Sequence, residues 1–210
     1  MISAALALAF HFYAPEDISF KRKYAAKAES SYTVTMAFPG GGGAVKANIV
    51  TTVQSVETDG ATVHLRATSI DLPGFPATDA LPDLVTKVGT LGLPNKATIK
   101  SGQEFFVFLG MASMTTGTVV KVGDSVKAHW QNDQKDCTLD GTGKIAKFDP
   151  DTKTLTVDWK VDMKPSYTEG GTFVLHSVYS TTDFSLNKSE GTYEIGGSSM
   201  KLQFERKPKS

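Results

Sequence analysis

The feature that most constrains the fold is a run of ten residues in which apolar and polar side chains alternate without a break. It spans residues 154–163, TLTVDWKVDM. An extended strand places every second side chain on the same face, so strict alternation predicts a strand with one buried and one solvated face. Antiparallel sheets typically contain such strands. The five positions predicted to face the core are Leu155, Val157, Trp159, Val161 and Met163.

The same alternation recurs in shorter segments that are separated by Gly, Pro, Asn and Asp. Residues 32–38 predict a strand that buries its apolar positions, and residues 63–67 predict another. The predicted fold class is therefore mainly β: a curved antiparallel sheet, either a half-barrel or a sandwich, of about eight to eleven strands. The inward positions of these two strands are Val34, Met36 and Phe38, and Val63, Leu65 and Ala67.

Two segments have similar apolar spacing and predict an internal repeat. Residues 53–73 align with residues 145–165 without a gap, and both segments end in Pro. We interpret this as a duplicated β-meander, with pseudo-repeats at about 27–109 and 119–205 inside a single domain of residues 18–207. The alternative is chance similarity between two hairpins.

Residues 140–161 contain two motif-like stretches that are better explained as parts of a hairpin. GTGK (141–144) lacks the upstream Gly and the following Ser or Thr of a phosphate-binding loop. DPDT (149–152) lacks the further ligands of a calcium loop, and its Asp and Pro are typical of a turn. The predicted structure is a β-hairpin.

One amphipathic helix is predicted at residues 80–91, with Asp79 as its N-cap and Gly residues at its end. A single helix in a β-rich chain usually covers one open face of the sheet. Its apolar stripe is formed by Leu84, Val85, Val88 and Leu91.

The N-terminal residues 2–14 contain no charged residue, and they have the length of the apolar region of a signal peptide. No Lys or Arg precedes them, since the first basic residue is Lys21. Residues 1–14 are interpreted as a signal peptide, which predicts a periplasmic or secreted protein. The alternative is an N-terminal strand or helix that covers the core.

Composition excludes some partners. Lys and Arg together number 22, as do Asp and Glu, so the formal net charge is zero. Nucleic acids and anionic membranes are bound through a basic field, which this chain does not provide. Cys137 is the sole cysteine, so no internal disulfide can form, and its place in a predicted strand indicates a buried, unreactive thiol.

The sequence offers no recognisable catalytic set, metal site or cofactor motif. No two of its four histidines have the spacing that puts two ligands on one face of a strand or helix. No G-x-S-x-G nucleophile motif occurs, and Asp158 and Asp162 fall on the solvated face of their strand. A protein that is not an enzyme and has no cofactor is expected.

The remaining candidates for function are apolar. If the sheet is closed, these residues fill the core, and the protein acts as a structural module that contacts an envelope protein. If the sheet is an open half-barrel, they line a cavity for a lipid or another hydrophobic small molecule. The candidate ligand-binding residues are Leu84, Val88, Phe105, Met111, Met114, Trp130 and Trp159.

The segment VVKVGDSV (119–126), followed by Trp130, is similar to a V-x-V-G-D-x-W motif that is common in secreted bacterial β-rich families. Val126 stands where the Trp of that motif is often found. In pattern, the chain resembles envelope proteins of the half-barrel, lipoprotein-carrier kind. This resemblance implies a β-rich fold and an envelope location, and it assigns no functional residue.

Overall fold

The computed structural model describes residues 17–41, 43–72, 74, 81–96, 103–166 and 169–208. The predicted signal peptide, residues 1–14, lies outside these residues, as do Asp79 and Ala80. The described part of the chain contains twelve strands and one α-helix. The strands are β1 Ile18–Phe20, β2 Glu29–Ala37, β3 Ala44–Glu57, β4 Gly60–Asp71, β5 Asp83–Val88, β6 Thr118–Val120, β7 Ser125–Gln131, β8 Cys137–Asp149, β9 Thr154–Pro165, β10 Gly171–Ser180, β11 Leu186–Ile195 and β12 Ser198–Arg206.

Ten of the strands form one antiparallel sheet in the order β5-β4-β3-β2-β12-β11-β10-β9-β8-β7. Each strand pairs with its neighbour in the chain, except where β12 pairs with β2 and joins the two halves. Strands β1 and β6 form a separate two-stranded ribbon. The predicted class, a curved antiparallel sheet (half-barrel or sandwich) of about eight to eleven strands with one short helix, is confirmed, and the sheet is not closed into a barrel.

The hairpin predicted at residues 140–161 is confirmed as part of β8 and β9. All five inward positions of β9 are buried. In the connecting loop, the backbone N–H groups of Asp151 and Thr152 donate to Asp149 Oδ1 at 3.1 and 3.0 Å. The Thr152 N–H and the nearby Lys147 ammonium together lower the pKa of Asp149 to about 2. The DPDT stretch is therefore a turn.

The helix predicted at residues 80–91 is wrong in position. Its residues 83–88 form strand β5, in which Leu84, Thr86 and Val88 share one face. Residues branched at Cβ, such as Val85 and Thr86, fit a pleated strand better than a helix. Helix α1 instead spans Glu104–Ala112.

Helix α1 was missed because its sequence, EFFVFLGMA, is apolar on every side and has no amphipathic period. Its residues 105–112 are all buried. A helix of this kind is stable only inside a core. The Phe108 ring packs against Phe173 and Tyr193, with centroids 5.2 and 5.6 Å apart. Phe106 of α1 lines a pocket together with Val63 and Leu65 of β4, in the opposite half of the sheet, so the curved sheet has both halves facing the helix.

The two-stranded ribbon adds a second layer of aromatic side chains to this core. Phe20 of β1 is fully buried and contacts Trp159, Tyr179 and Phe184, with ring centroids 5.1 to 6.5 Å apart. Trp159 Nε1 donates to Tyr179 Oη at 3.0 Å, and Tyr179 Oη donates to the Ala112 carbonyl at 3.1 Å. This hydrogen-bond chain fixes the end of α1 to the sheet.

The two edges of the sheet approach each other at Asn95. Its backbone N–H donates to the Lys87 carbonyl of β5 at 2.9 Å. Its carbonyl accepts a hydrogen bond from the Asp133 N–H, just after β7, at 2.8 Å. One residue thus links the regions of both edge strands, while the strands themselves do not pair.

Phe38 was predicted to face the core, and this prediction is wrong. The strand ends at Ala37, so Phe38 begins the turn toward β3 and its side chain is 43% exposed. The other inward predictions for this strand and for β4 are confirmed, since Val34, Met36, Val63, Leu65 and Ala67 are buried.

The two hairpins of the predicted repeat share one irregularity. The register shifts between Val53 and Ser55 in β3, and between Ile145 and Lys147 in β8. These are matching positions in the gapless alignment, and a bulge there bends both hairpins in the same place.

The loops of the two hairpins differ in length. Glu57 pairs with Gly60 across the first loop, whereas Asp149 pairs with Thr154 across the second. The gapless alignment is therefore correct for β3 with β8 but two residues out of register for β4 with β9. The duplication itself stays a prediction.

We expect Tyr179→Phe to lower the free energy of unfolding by about 2–4 kcal/mol, because it leaves the Trp159 indole N–H and the Ala112 carbonyl buried without a partner. Tyr193→Phe is the matched control, since the Tyr193 hydroxyl makes no hydrogen bond to the described residues and the ring stacks on Phe173. Guanidinium unfolding curves measure both variants. Equal, small losses would contradict the structural role of the hydrogen-bond chain.

Candidate functional site

The seven predicted ligand-binding residues are brought into one interior, but most of them are packed as core. Met111 and Met114 are fully buried, and Trp159 is 1% exposed beneath Phe20. Phe105, Val88 and Trp130 are also buried, while Leu84 is half-buried against the same core. Helix α1 and the β1–β6 ribbon therefore occupy most of the space that an empty half-barrel would offer.

A pocket remains where α1 meets the first half of the sheet. The cavity volume that the centres of water molecules can occupy is about 50 Å³, and the pocket opens partly to solvent. Of the seven predicted residues, Val88 lines it. The apolar walls are formed by Val63, Leu65, Val88, Phe106 and Leu109.

The pocket also has a polar side, which comes from the segment that follows β1. Ile18 and Phe20 face the core, and the same alternation turns Arg22 and Tyr24 inward, where both line the pocket. Tyr32 of β2 and Thr51 of β3 complete this side. A cationic group thus lies on the polar side of a pocket whose other walls are apolar.

The polar partners of the Arg22 side chain are the Phe184 carbonyl and the Tyr32 hydroxyl, which forms a side-chain hydrogen bond with it. Its Nη1 donates to the Phe184 carbonyl at 3.3 Å, and its guanidinium lies 5.8 Å from the centre of the Tyr24 ring. Burial acts to lower the pKa of Arg22, but the interactions with Tyr32, Tyr24 and Asp183 together raise it. Arg22 therefore keeps its positive charge at every physiological pH.

The nearest acidic influence on Arg22 is Asp183. Burial alone would raise the pKa of Asp183, but hydrogen bonds from Ser185 and the charges of Arg22 and Arg206 lower it. Asp183 Oδ1 accepts from the Ser185 N–H and Oγ at 2.9 and 2.6 Å. Asp183 forms no ion pair with Arg22, so it acts on the guanidinium through space.

Arg22 was not predicted from the sequence, although a signal for it was present. In ISFKRKY (18–24), the period of two that makes Phe20 inward also makes Arg22 inward, between two outward lysines. A run of three basic residues is easily taken as a solvated face. Continuing the alternation through such a run would have identified the position.

The described histidines lie on the outer face of the sheet, as predicted for His64 and His129. Each makes a hydrogen-bonded pair with an Asp on a neighbouring strand at 2.6 or 2.7 Å. The arrangement occurs on three different strand pairs and in the solvated layer, so we interpret it as cross-strand stabilisation. The pairs are His64–Asp83, His129–Asp140 and His176–Asp158.

Within the described ranges, no group of three or more His, Cys, Asp or Glu side chains could hold a metal ion. In the same part of the chain, no helix is both long enough and apolar enough to cross a membrane.

Cys137 is buried at the start of β8, as predicted. Burial raises the pKa of its thiol to about 11, and the neighbouring Asp136 adds to this effect.

No protein-family model matches the sequence, and no curated protein matches it. Three solved structures are similar in shape. An inferred exported protein with a YmcC-like fold from Bacteroides fragilis has a TM-score of 0.41 at 10% identity, over 90% of this chain and 100% of that one. An inferred lipoprotein from Parabacteroides distasonis has a TM-score of 0.41 at 12% identity, over 91% and 98%.

The third structure is the hypothetical lipoprotein YmcC from Escherichia coli, with a TM-score of 0.28 at 13% identity, over 85% of each chain. All three are described as exported proteins or as lipoproteins. At this level of similarity they assign no residue and no activity to this chain.

We expect Cys137 not to react with a thiol reagent such as dithionitrobenzoate at pH 8, because a thiol with a pKa of about 11 is about one part in a thousand thiolate there and is also shielded. Unfolding the protein in guanidinium should release one reactive thiol. If the native protein reacted as fast as a cysteine in a free peptide, the result would contradict the burial of Cys137.

Proposed function

We propose that this protein is a non-enzymatic, exported binding protein that holds a small molecule with an apolar part in the pocket beside α1. The observation that carries the proposal is the pocket itself. A core as densely packed as this one leaves an open space where α1 faces β3, β4 and β5, and apolar side chains line it.

The size of the pocket limits the ligand. A space of about 50 Å³ for water centres fits a few water molecules or the end of a short chain. We therefore propose a short amphiphile, or one end of a longer lipid, in place of a fully enclosed fatty acid. A lipid lying among Trp130, Met111 and Met114 would have to displace α1, because those side chains are already buried.

Export is proposed from the uncharged residues 2–14, which have the length of the apolar region of a signal peptide. A non-enzymatic role is proposed because the described His and Asp pairs lie in the solvated outer layer, away from the pocket. General acid–base catalysis needs such groups within hydrogen-bond reach of a bound substrate.

A second candidate function is a protein-interaction module without a small ligand. It is favoured by the filled interior and by β7, a sheet-edge strand that could pair with a strand of another protein. The partner that we propose for this edge is an envelope protein. The failure of every small ligand in the experiment below would favour this function.

We expect 1-octanol, octanoate or both to bind to the purified protein, and Thr51→Phe to reduce this binding about tenfold or more, because the ring enters the pocket. Thr51 is half-buried and faces inward on β3, so the larger side chain has room toward the mouth. Ligand-induced shifts in two-dimensional amide NMR spectra measure the affinity.

Thr52→Phe is the matched control, since Thr52 lies on the opposite face of the same strand beside Glu29. It should bind as the wild type does. Thermal unfolding verifies that both variants fold. The proposal is overturned if neither compound shifts the amides of the pocket residues, or if both variants bind equally well.

A further inference from the structure

The pocket contains a guanidinium at a position where the sequence could have placed an apolar side chain. Ile18, Phe20 and Arg22 occupy successive inward positions of one extended segment, and Lys21 and Lys23 point outward to solvent. Moving a cation from water toward an apolar interior is costly unless polar partners replace its hydration. The placement of Arg22 therefore calls for an explanation in terms of its partners.

The protein supplies only part of that replacement. A guanidinium has five N–H donors. The Phe184 carbonyl accepts one hydrogen bond, at the long distance of 3.3 Å, the Tyr32 hydroxyl accepts a second, and the ring of Tyr24 provides a cation–π contact. Among the described residues, no carboxylate forms an ion pair with Arg22.

The other partly buried arginine of the described chain shows the contrast. Arg206 directs Nη1 to Ser185 Oγ and Nη2 to Ser30 Oγ, the latter at 3.1 Å. Both of its terminal nitrogens therefore have side-chain acceptors, and it does not line the pocket. Arg22 instead borders the open space, and among the described residues the Phe184 carbonyl and Tyr32 account for two of its five N–H donors.

The groups around Arg22 suit an oxyanion. Tyr24 and Tyr32 line the same side of the pocket. Burial raises the pKa of Tyr24, although Arg22 acts in the opposite direction, so this phenol stays protonated and can donate a hydrogen bond. The exposed Lys21 and Lys23 add positive potential outside the pocket, which attracts anions toward it.

We infer that the pocket binds a monoanionic amphiphile, with a carboxylate on the Arg22 guanidinium and the apolar part against Val63, Leu65 and Phe106. This inference rests on the proposed function and specifies its ligand class. One guanidinium compensates one negative charge, which matches a carboxylate better than a phosphate dianion. The small volume of the pocket favours the same choice.

The experiment compares octanoate with 1-octanol, which share the same chain length and differ in head-group charge. Amide NMR titrations at pH 7 measure both affinities for the wild type. We expect octanoate to bind about tenfold more tightly than 1-octanol, because charge-assisted hydrogen bonds to a partly buried guanidinium are about twice as strong as neutral ones.

The variant Arg22→Gln should abolish the preference for octanoate, so that octanoate and 1-octanol bind it with affinities equal within about threefold. Arg22→Lys keeps the charge and should keep part of the preference. Arg66→Gln, at an exposed position of β4, is the control for the loss of one positive charge and should bind as the wild type does.

The outcomes separate the two proposals. Equal binding of both compounds by the wild type overturns the role of Arg22 and leaves the apolar pocket in place. Binding of neither compound overturns the proposed function, and the inference with it. The wild-type comparison decides the question even if Arg22→Gln fails to fold. An unchanged preference in a folded Arg22→Gln variant also overturns the inference.

Discussion

Helix α1 has no polar side, since residues 105–112 are all buried, and it can exist only where other apolar surface surrounds it. The ten-stranded sheet provides that surface by curving around the helix. Burying each large apolar side chain contributes about 1.5–3 kcal/mol, so α1 and the inner face of the sheet stabilise each other. Tyr179 fixes the end of the helix to the sheet, and Asn95 links the regions of the two sheet edges beside it.

The position of α1 also determines where a ligand could bind. A half-barrel without an internal helix would offer a long apolar cavity, whereas here the second half of the sheet packs directly on Phe108. Space remains on the side of β3 and β4, and the segment after β1 brings Arg22 to it. The pocket is therefore asymmetric, with apolar walls and a polar side that holds Arg22. We propose that such an arrangement selects a ligand by charge as well as by shape.

The sequence predicted the strands well and the helix poorly, for one physical reason. A strand with one solvated face leaves a period of two, as in the five inward positions of β9. Helix α1 is buried on all sides, so its sequence has no hydrophobic period. In β5, the spacing of Leu84, Val85 and Val88 is also that of one face of a helix, which led to the wrong prediction. The pocket was not predictable in detail, because it depends on where α1 sits against the sheet. Arg22 could have been found from alternation alone.

Amide hydrogen exchange of α1 tests the central claim most directly, because it measures whether the helix opens independently of the sheet. If α1 is an integral part of the core, its backbone amides at Leu109, Gly110 and Met111 should exchange only through global unfolding, with the same opening free energy as the amides of β9. Exchange in α1 about a hundredfold faster than in β9 would contradict the account. The helix would then be a removable segment over a larger cavity.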